Sequence, residues 1–242
     1  MSQVCVITGG TSGIGRCTAQ AMLARGYTVY ELSRRAEGVA GMQHIVADVT
    51  KEETLAAAVA QILQREDHID VLINNAGLAL GLDPLQSGDL DDWNTMIDTN
   101  IKGLLYVSRA LVPGMVERNR GEIINIGSVA GDAAYANGNV YCGTKAAVKM
   151  ITDGLRIDTA HTRIRVTNIK PGLVETHFSN VRFHGDDERA NNVYKGIKPL
   201  TGEDIADVAY YAASAPAHVQ IAEVLVLATH QASGSVVKRN AE

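Results

Sequence analysis

Short apolar runs alternate along the chain with longer segments in which apolar residues recur every three to four positions. Seven runs rich in Val and Ile are predicted as strands at residues 3–8, 28–32, 43–47, 70–74, 122–126, 165–169 and 223–227. Five periodic segments are predicted as helices at residues 14–25, 52–65, 91–112, 140–160 and 203–214. The strands are almost entirely apolar, which is typical of a parallel sheet covered by helices on both faces. The pattern therefore predicts an α/β fold, a doubly wound, seven-stranded parallel sheet in one domain spanning residues 1–242.

Two segments depart from this alternation. Residues 33–42 join the second and third strands in about ten residues, whereas a parallel crossover helix usually needs about a dozen or more. We expect the helix there to be absent or cut to one turn. Residues 175–200 mix glycine, charge and single aromatic residues without a clear period, and loops that long inside a compact domain are usually binding loops or lids. We interpret residues 175–200 as a substrate lid.

Composition and charge narrow the class of protein. The 242 residues carry a formal net charge of −5 with the basic residues scattered, so neither nucleic acid nor an anionic membrane is expected as a partner. No apolar run approaches the roughly 18 residues of a spanning helix, and the amino terminus lacks the basic region of a signal peptide. The three cysteines form no CxxC pair, and the seven histidines show no metal-ligand spacing. We expect a cytoplasmic protein in a reducing compartment, without a metal.

A glycine-rich turn follows the first strand and opens the first helix. Gly9, Gly13 and Gly15 give a G-x-x-x-G-x-G spacing, which lets the backbone approach a pyrophosphate at the amino terminus of a helix. An ordinary glycine turn is the alternative, whereas a P-loop is excluded because no Lys-Ser/Thr follows. Asp48 lies just after the third strand, where an adenine amino group would bind, although a helix cap is the simpler reading of Asp48 alone. Residues 74–77, Asn-Asn-Ala-Gly, end the fourth strand where the strand order should reverse, and ligands bind at that crevice.

The residues that end the second strand select between two nicotinamide cofactors. An acidic side chain there would bind the ribose 2′-hydroxyl of NAD, but this chain has Ser33, Arg34 and Arg35, which favour the 2′-phosphate of NADP. Arg34 is the expected phosphate partner, and its guanidinium can also stack on adenine. The alternatives are a pair of solvated loop arginines, or a slipped register in which Glu31 takes the acidic role. NADP is the predicted cofactor.

Four polar residues form a candidate catalytic set. Tyr141 and Lys145 lie four residues apart at the start of a predicted helix and therefore share one face. Ser128 ends the fifth strand thirteen residues before the tyrosine, and Asn100 lies mid-helix, where asparagine is unfavourable on propensity. Separately, these residues have ordinary explanations: a surface lysine, a serine at a strand end and an asparagine bonded to backbone. Together with the glycine turn they form a specific combination.

With these motifs the chain resembles the short-chain dehydrogenase/reductase family nearly from end to end, including Pro171-Gly172. The resemblance implies a Rossmann-type fold, hydride transfer with a nicotinamide cofactor and, commonly, a homotetramer. It implies that Tyr141 is the acid/base, Ser128 a donor to the substrate oxygen, Lys145 a ribose binder and Asn100 the anchor of a water molecule. The residues expected to bind the cofactor are Gly9, Thr11, Ser12, Gly13, Ile14, Gly15, Ser33, Arg34, Arg35, Asp48, Val49, Asn74, Ala76, Gly77, Tyr141, Lys145, Pro171, Gly172, Val174 and Thr176.

The acid/base role of Tyr141 requires a lowered pKa. Free tyrosine titrates near pH 10, so a phenolate at about pH 8 needs a pKa shift of about two units, or roughly 2.7 kcal/mol. We expect the Lys145 cation and the positive nicotinamide ring to supply this field. Tyr141 would then take the hydroxyl proton in oxidation and return it in reduction, while Ser128 stabilises the developing oxyanion.

Residues 78–231 are also similar to the NADP-dependent 3-hydroxy acid dehydrogenases, which act on serine, allo-threonine or 3-hydroxypropionate-type substrates. The first hypothesis is an NADP-dependent dehydrogenase of a small 3-hydroxy acid whose carboxylate binds Arg182, beside Phe178 and Phe183 in the lid. A solvated or intersubunit arginine is an equal alternative for Arg182. The second hypothesis is a general carbonyl or 3-oxoacyl reductase. The third, a nicotinamide-binding sensor without chemistry, is disfavoured because such proteins usually lose the tyrosine or lysine.

Overall fold

A computed structural model describes residues 2–239 and contains all seven predicted strands. The strands are β1 (Val4–Thr8), β2 (Thr28–Ser33), β3 (Gln43–Val46), β4 (Val71–Asn74), β5 (Gly121–Ile126), β6 (Ile164–Pro171) and β7 (Glu223–Val226). They form one sheet in the order β3-β2-β1-β4-β5-β6-β7, and every neighbouring pair is parallel. The prediction of a seven-stranded, doubly wound parallel sheet is confirmed.

The predicted helices are all present, and residues 175–200, the predicted lid, contribute two short ones. The helices are α1 (Gly13–Ala24), α2 (Glu52–Leu63), α3 (Leu90–Ile97), α4 (Leu104–Glu117), α5 (Asn139–Asp158), α6 (Phe178–Arg182), α7 (Asp187–Asn192) and α8 (Gly202–Ser214). A π-helical turn, Asp98–Gly103, joins α3 to α4, and 3₁₀ turns form at Leu85–Ser87 and Val129–Gly131. None of the helices formed by residues 2–239 is both long and apolar enough to cross a membrane.

The predicted end of the helix at residue 112 is wrong by five residues. Pro113 lies inside α4, and the helix continues to Glu117. A proline costs a helix one hydrogen bond and a steric clash. The burial of Met115 in the core, where it is 1% exposed, favours the longer helix despite this cost.

Alternating strand residues fill two separate cores because successive side chains of a strand point to opposite faces. Val6 and Ile123 belong to the core beneath α2 and α4, whereas Ile7 and Ile124 belong to the core beneath α1 and α8. The four side chains are completely buried. Helix cover on both faces explains why the strands lack a polar alternation.

The strand order places a crevice at the carboxyl edge of the sheet. β1 lies between β2 and β4, so the chain leaves β1 in one direction and returns from β3 to the other side of it. Ligands of such sheets bind where the order reverses. Residues 34–42, which connect β2 to β3, form no helix, as their length predicts. The loop 34–42 is called the arginine loop below, because it begins with Arg34 and Arg35.

Candidate active site

The glycine turn connects β1 to α1 at the crevice. Gly9 and Gly13 adopt φ angles of +68° and +52°, in the left-handed region that favours glycine. Gly15 has an ordinary φ, but a Cβ there would overlap the carbonyl oxygen of Gly9 and the side-chain amide of Asn75. Each of the three glycines therefore meets a requirement of the backbone. The turn brings the free N–H groups of the first turn of α1 to the crevice, where they can bind a pyrophosphate.

The end of β4 holds this turn through a residue that sequence reasoning missed. The Asn75 side chain donates to the carbonyl oxygens of Thr8 (2.9 Å) and Gly9 (3.2 Å). The Thr8 hydroxyl in turn accepts the backbone N–H groups of Asn75 and Ala76, at 3.1 and 3.0 Å. Asn75 lies within segment 74–77, which the sequence analysis recognised, but its neighbour Asn74 was the asparagine assigned to cofactor binding.

Asn74, which was expected among the cofactor contacts, directs its side chain into the protein. Its amide donates to the hydroxyl of Ser108 (3.2 Å) and to the side-chain oxygen of Asn125 (2.9 Å). The residue is 5% exposed. The Asn74 side chain is therefore engaged within the core, and the expected contact of Asn74 with a cofactor remains a prediction that this geometry does not favour.

The remaining cofactor residues surround the same crevice. A Cβ on Gly13 would meet the Thr176 side chain at 3.4 Å, so the Pro171–Thr176 segment reaches the glycine turn from the opposite side. One carboxylate oxygen of Asp48 accepts the backbone N–H (2.9 Å) and the hydroxyl (2.8 Å) of Thr50. These contacts form a turn before α2 and do not cap it, because the N-cap residue of α2 is Lys51, so the helix-cap alternative for Asp48 is wrong. Val49 is buried against the π-helical turn at Gly103.

The residues that are expected to select the cofactor lie at the end of β2 and in the arginine loop. Ser33 ends the strand, and Arg34 is exposed at the start of the arginine loop. Arg35 donates to the hydroxyl and the carbonyl oxygen of Thr11, both at 3.3 Å, so it borders the glycine turn. Glu31 is completely buried and accepts the N–H of Gly10 at 3.0 Å. The alternative in which Glu31 meets the ribose is therefore wrong.

The four candidate catalytic residues converge at the carboxyl end of β5. Tyr141 and Lys145 lie in the first turns of α5 and are 9% and 7% exposed. The Lys145 ammonium donates to the carbonyl oxygen of Ile126 at 2.9 Å and lies 6.0 Å from the centre of the Tyr141 ring. Ser128 follows β5 and accepts the N–H of Ala130 at 3.1 Å.

Asn100 occupies the π-helical turn, which explains an asparagine in mid-helix. Its side-chain oxygen accepts the N–H of Leu78 (2.9 Å), and its side-chain nitrogen donates to the Leu78 carbonyl (2.8 Å) and to the Thr144 hydroxyl (3.0 Å). A Cβ on Gly77 would lie 3.1 Å from the Asn100 side-chain oxygen and 3.5 Å from the Lys145 ammonium. Asn100 thus links the end of the 74–77 segment to the start of α5, and π-helical turns are frequent at functional sites.

The protein's own groups shift the two ionisable side chains away from their charged forms. Burial raises the pKa of Tyr141 well above its usual range, the nearby Tyr135 adds to this, and a hydrogen bond with Ser128 and the charge of Arg182 act against it. Burial lowers the pKa of Lys145 to about 8. The expected effect of Lys145 and the nicotinamide ring on the pKa of Tyr141 remains a prediction, and the charge of Arg182 acts in the same direction.

The lid places Arg182 over the Tyr141 ring. The guanidinium lies 5.7 Å from the ring centre and donates to the hydroxyl of Tyr135 (2.9 Å) and the carbonyl of Gly81 (3.1 Å). Phe178 stacks edge-on against Tyr141, with ring centres 5.8 Å apart. Phe183 is buried, packs against the Arg182 and Arg189 side chains and does not line the cleft, so its expected contact with substrate has no support in this geometry.

The cleft beside Tyr141 is narrow, with a cavity of about 20 Å³, which is room for about one water molecule. Besides Tyr141 and Arg182, its lining includes Asp92, Trp93 and Met96 from α3, none of which the sequence analysis assigned to the site. The signal available was the single tryptophan of the chain, seven residues, or about two helical turns, before the mid-helix asparagine. Among the described residues, no three His, Cys, Asp or Glu side chains form a group that could hold a metal ion.

Comparison with known proteins agrees with this arrangement. The model of the short chain dehydrogenase family matches residues 3–187. The NADP-dependent 3-hydroxy acid dehydrogenase of Salmonella typhi is 45% identical over 237 residues, covering 94% of this chain and 96% of the relative. A protein of the same description from Schizosaccharomyces pombe is 42% identical, covering 97% and 95%. The closed form of a serine dehydrogenase complexed with NADP⁺ superimposes with a TM-score of 0.90 at 40% identity, over 99% of this chain and all of the other. The chain belongs to the short-chain dehydrogenase family.

Proposed function

We propose that the protein is an NADP-dependent dehydrogenase that oxidises a small 3-hydroxy acid, of serine, allo-threonine or 3-hydroxypropionate type, at its 3-hydroxyl group. The observation that carries the proposal is the guanidinium of Arg182, 5.7 Å from the Tyr141 ring across a small cleft. A carboxylate on Arg182 would leave the 3-hydroxyl of a short substrate within reach of the phenol, because only two carbons separate the groups. The relatives described above as 3-hydroxy acid and serine dehydrogenases support the same substrate class.

The cradle for the cofactor fits a dinucleotide with a 2′-phosphate. Gly9, Gly13 and Gly15 keep the turn free of side chains at these positions, where a pyrophosphate would approach, and Arg34 and Arg35 border the expected position of the 2′-phosphate. A charge-assisted hydrogen bond of this kind contributes about 1.5–3 kcal/mol, roughly tenfold to a hundredfold in affinity. The proposed preference is therefore for NADP over NAD.

The residues of the site divide the chemistry between them. Tyr141 takes the proton of the 3-hydroxyl in oxidation and returns it in reduction. Ser128 donates to the substrate oxygen as it gains negative charge. Lys145, at 3.5 Å from a Cβ on Gly77, can reach ribose hydroxyls at that edge of the crevice. NADP, when bound, supplies the nicotinamide ring that accepts the hydride and whose positive charge lowers the pKa of the phenol.

A substitution of Arg182 tests the substrate class. In Arg182→Ala, we expect KM for 3-hydroxypropionate to rise about tenfold to a hundredfold, because a charge-assisted hydrogen bond is lost. KM for an uncharged ketone should be unchanged. Both substrates are measured across pH and compared at their plateau rates, since Arg182 also lowers the pKa of Tyr141. Arg189→Ala is the matched control, because its guanidinium packs on Phe183, 4.5 Å from the ring centre, and lies outside the cleft lining.

A general carbonyl or 3-oxoacyl reductase is the second candidate, and one observation favours it. Arg182 already donates to Tyr135 and to the backbone of Gly81, so part of its hydrogen-bonding capacity is used within the protein. If this arginine serves only to hold the lid, its loss should raise KM for the carboxylate substrate and the uncharged ketone equally. Equal effects in the experiment above would therefore select the reductase.

We further propose that the protein assembles as a homotetramer through the outer faces of α4 and α5. Met150 and Ile157, one heptad apart on α5, are 62% and 74% exposed, and Leu105 on α4 is 42% exposed. Exposed apolar groups on neighbouring helices suit a symmetric, self-complementary interface. Light scattering should give the mass of four chains. In Met150→Glu/Ile157→Glu we expect a smaller assembly, whereas Tyr211→Glu on α8, 65% exposed, should leave this face intact.

A further inference from the structure

The arginine loop has no helix to support it and instead wraps over a histidine. His44, at the start of β3, contacts the carbonyl oxygen of Arg35 through its Nε2 atom at 3.0 Å. A Cβ on Gly38 would overlap the His44 side chain, so the backbone of the loop lies directly on the imidazole. The ring is 15% exposed, which places most of it beneath the loop.

The other nitrogen of the ring contacts a buried carboxylate. The Nδ1 atom of His44 lies 2.5 Å from Oε2 of Glu31, a residue on the neighbouring strand β2. The second oxygen, Oε1, accepts the N–H of Gly10 in the glycine turn at 3.0 Å. A Cβ on Gly10 would meet the Glu31 side chain at 2.5 Å, so the turn rests directly on it. One side of the carboxylate holds the glycine turn and the other side holds His44.

The two contacts of His44 join the arginine loop to the buried carboxylate. The carbonyl oxygen of Arg35 can only accept a hydrogen bond, so Nε2 donates to it, and one hydrogen bond joins Nδ1 to Glu31. A buried polar pair of this kind contributes little net stability, while its separation is costly. Stability of the fold therefore gives no sufficient reason for a fully buried glutamate under the glycine turn. The position of Glu31 between the glycine turn and the His44 that supports the arginine loop indicates another role for it, because these two loops border the proposed cofactor.

We propose that Glu31 and His44 are positioning residues for the 2′-phosphate of NADP. The pair links the glycine turn to the backbone of Arg35. It thereby fixes the position of the arginine loop relative to the glycine turn, a role that a crossover helix would otherwise have. Arg34 and Arg35 are then ordered before the cofactor binds, which lowers the entropic cost of binding. The inference rests on the proposed preference for NADP, because the pair acts only through the arginines that select the 2′-phosphate.

The test is the dissociation constant of the purified protein for NADPH and for NADH, without substrate, followed by nicotinamide fluorescence. In His44→Ala, we expect Kd for NADPH to rise about tenfold, because the charge-assisted contacts of a mobile loop are weakened. Kd for NADH should not change, since it carries no 2′-phosphate. His68→Ala is the matched control: this histidine also pairs with a carboxylate, Asp70 at 3.4 Å, but at the amino edge of the sheet. It should leave both constants unchanged.

A second variant covers the case in which the first one unfolds. The side chain of His44→Gln can donate to Glu31 or to Arg35 but cannot span both, so Kd for NADPH should rise by a smaller factor. Equal losses for NADPH and NADH in either variant, or an unchanged NADPH constant, would overturn the positioning role. A wild-type protein that binds NADPH and NADH equally would instead contradict the proposed cofactor. The two failures are therefore distinguishable.

Discussion

Replacing Tyr141 by Phe is expected to lower kcat for hydroxyl oxidation by about 10²–10⁴-fold, the usual contribution of a positioned acid/base. The variant removes one hydroxyl and keeps the ring that packs against Phe178 and lies beneath Arg182. Kd for NADPH, measured by fluorescence, should therefore stay close to the wild-type value. A variant that kept most of its turnover would contradict the acid/base role and would favour a non-catalytic nicotinamide-binding protein.

The pH dependence gives this prediction a second readout. Burial raises the pKa of Tyr141, so the phenolate that accepts the hydroxyl proton becomes more abundant as the pH rises. Wild-type oxidation should accelerate with increasing pH, and the residual rate of Tyr141→Phe should not. Tyr135→Phe is the matched control, because it removes a neighbouring phenol hydroxyl, which accepts a hydrogen bond from Arg182. We expect that change to retain the rise of the rate with pH.

Gly15→Ala is expected to disable cofactor binding through the backbone. The new Cβ would overlap the carbonyl oxygen of Gly9 and the Asn75 amide, and Asn75 itself is held by two hydrogen bonds to β1 and the glycine turn. Overpacking of this kind costs about 1–3 kcal/mol, which corresponds to roughly fivefold to 150-fold in an affinity if the bound turn bears the strain. Fluorescence titration with NADPH and denaturant unfolding measure the two effects separately.

Gly114→Ala controls for the general cost of replacing glycine. A Cβ at Gly114, on the exposed side of α4, meets no atom within 4 Å. Alanine is a better helix former than glycine, so the free energy of unfolding should rise by about 0.5–1 kcal/mol while Kd for NADPH stays unchanged. If Gly15→Ala bound NADPH as tightly as Gly114→Ala does, the close approach at Gly15 would have no role in binding.

The fold was predictable from the chain because each level of the pattern agrees with the next. Apolar strands need helices on both faces, and the alternation of strands and helices leads to a parallel sheet with one reversal of strand order. The glycine spacing and the Tyr141/Lys145 pair are local in sequence, so they identify two sides of the site without tertiary information. The absence of a helix before β3 was equally predictable, because the number of residues between β2 and β3 follows directly from the sequence and is too small for a crossover helix.

The rest depended on contacts between residues far apart in sequence. Whether Glu31 faces a ribose or the glycine turn is decided by the strand register and by His44, thirteen residues later. Burial decides the pKa of Tyr141, and burial of a side chain at the end of a cleft has no short-range signature. Asn74 and Asn75 are adjacent and identical in type, so the sequence does not distinguish their roles. Their hydrogen-bond partners do, because Asn74 bonds to core residues and Asn75 bonds to the glycine turn.

The π-helical turn, Asp98–Gly103, makes the chain sensitive to residue count along one helix. A π turn contains one residue more than the regular α-helical spacing, so a deletion there would restore ordinary winding and rotate α3 by about 100° relative to α4. α4 is anchored by Met115 in the core, whereas α3 carries Trp93 and Met96 at the cleft. Insertions and deletions between α3 and α4 are therefore tolerated far less than substitutions. Insertions in natural variants should collect in the arginine loop and the lid instead.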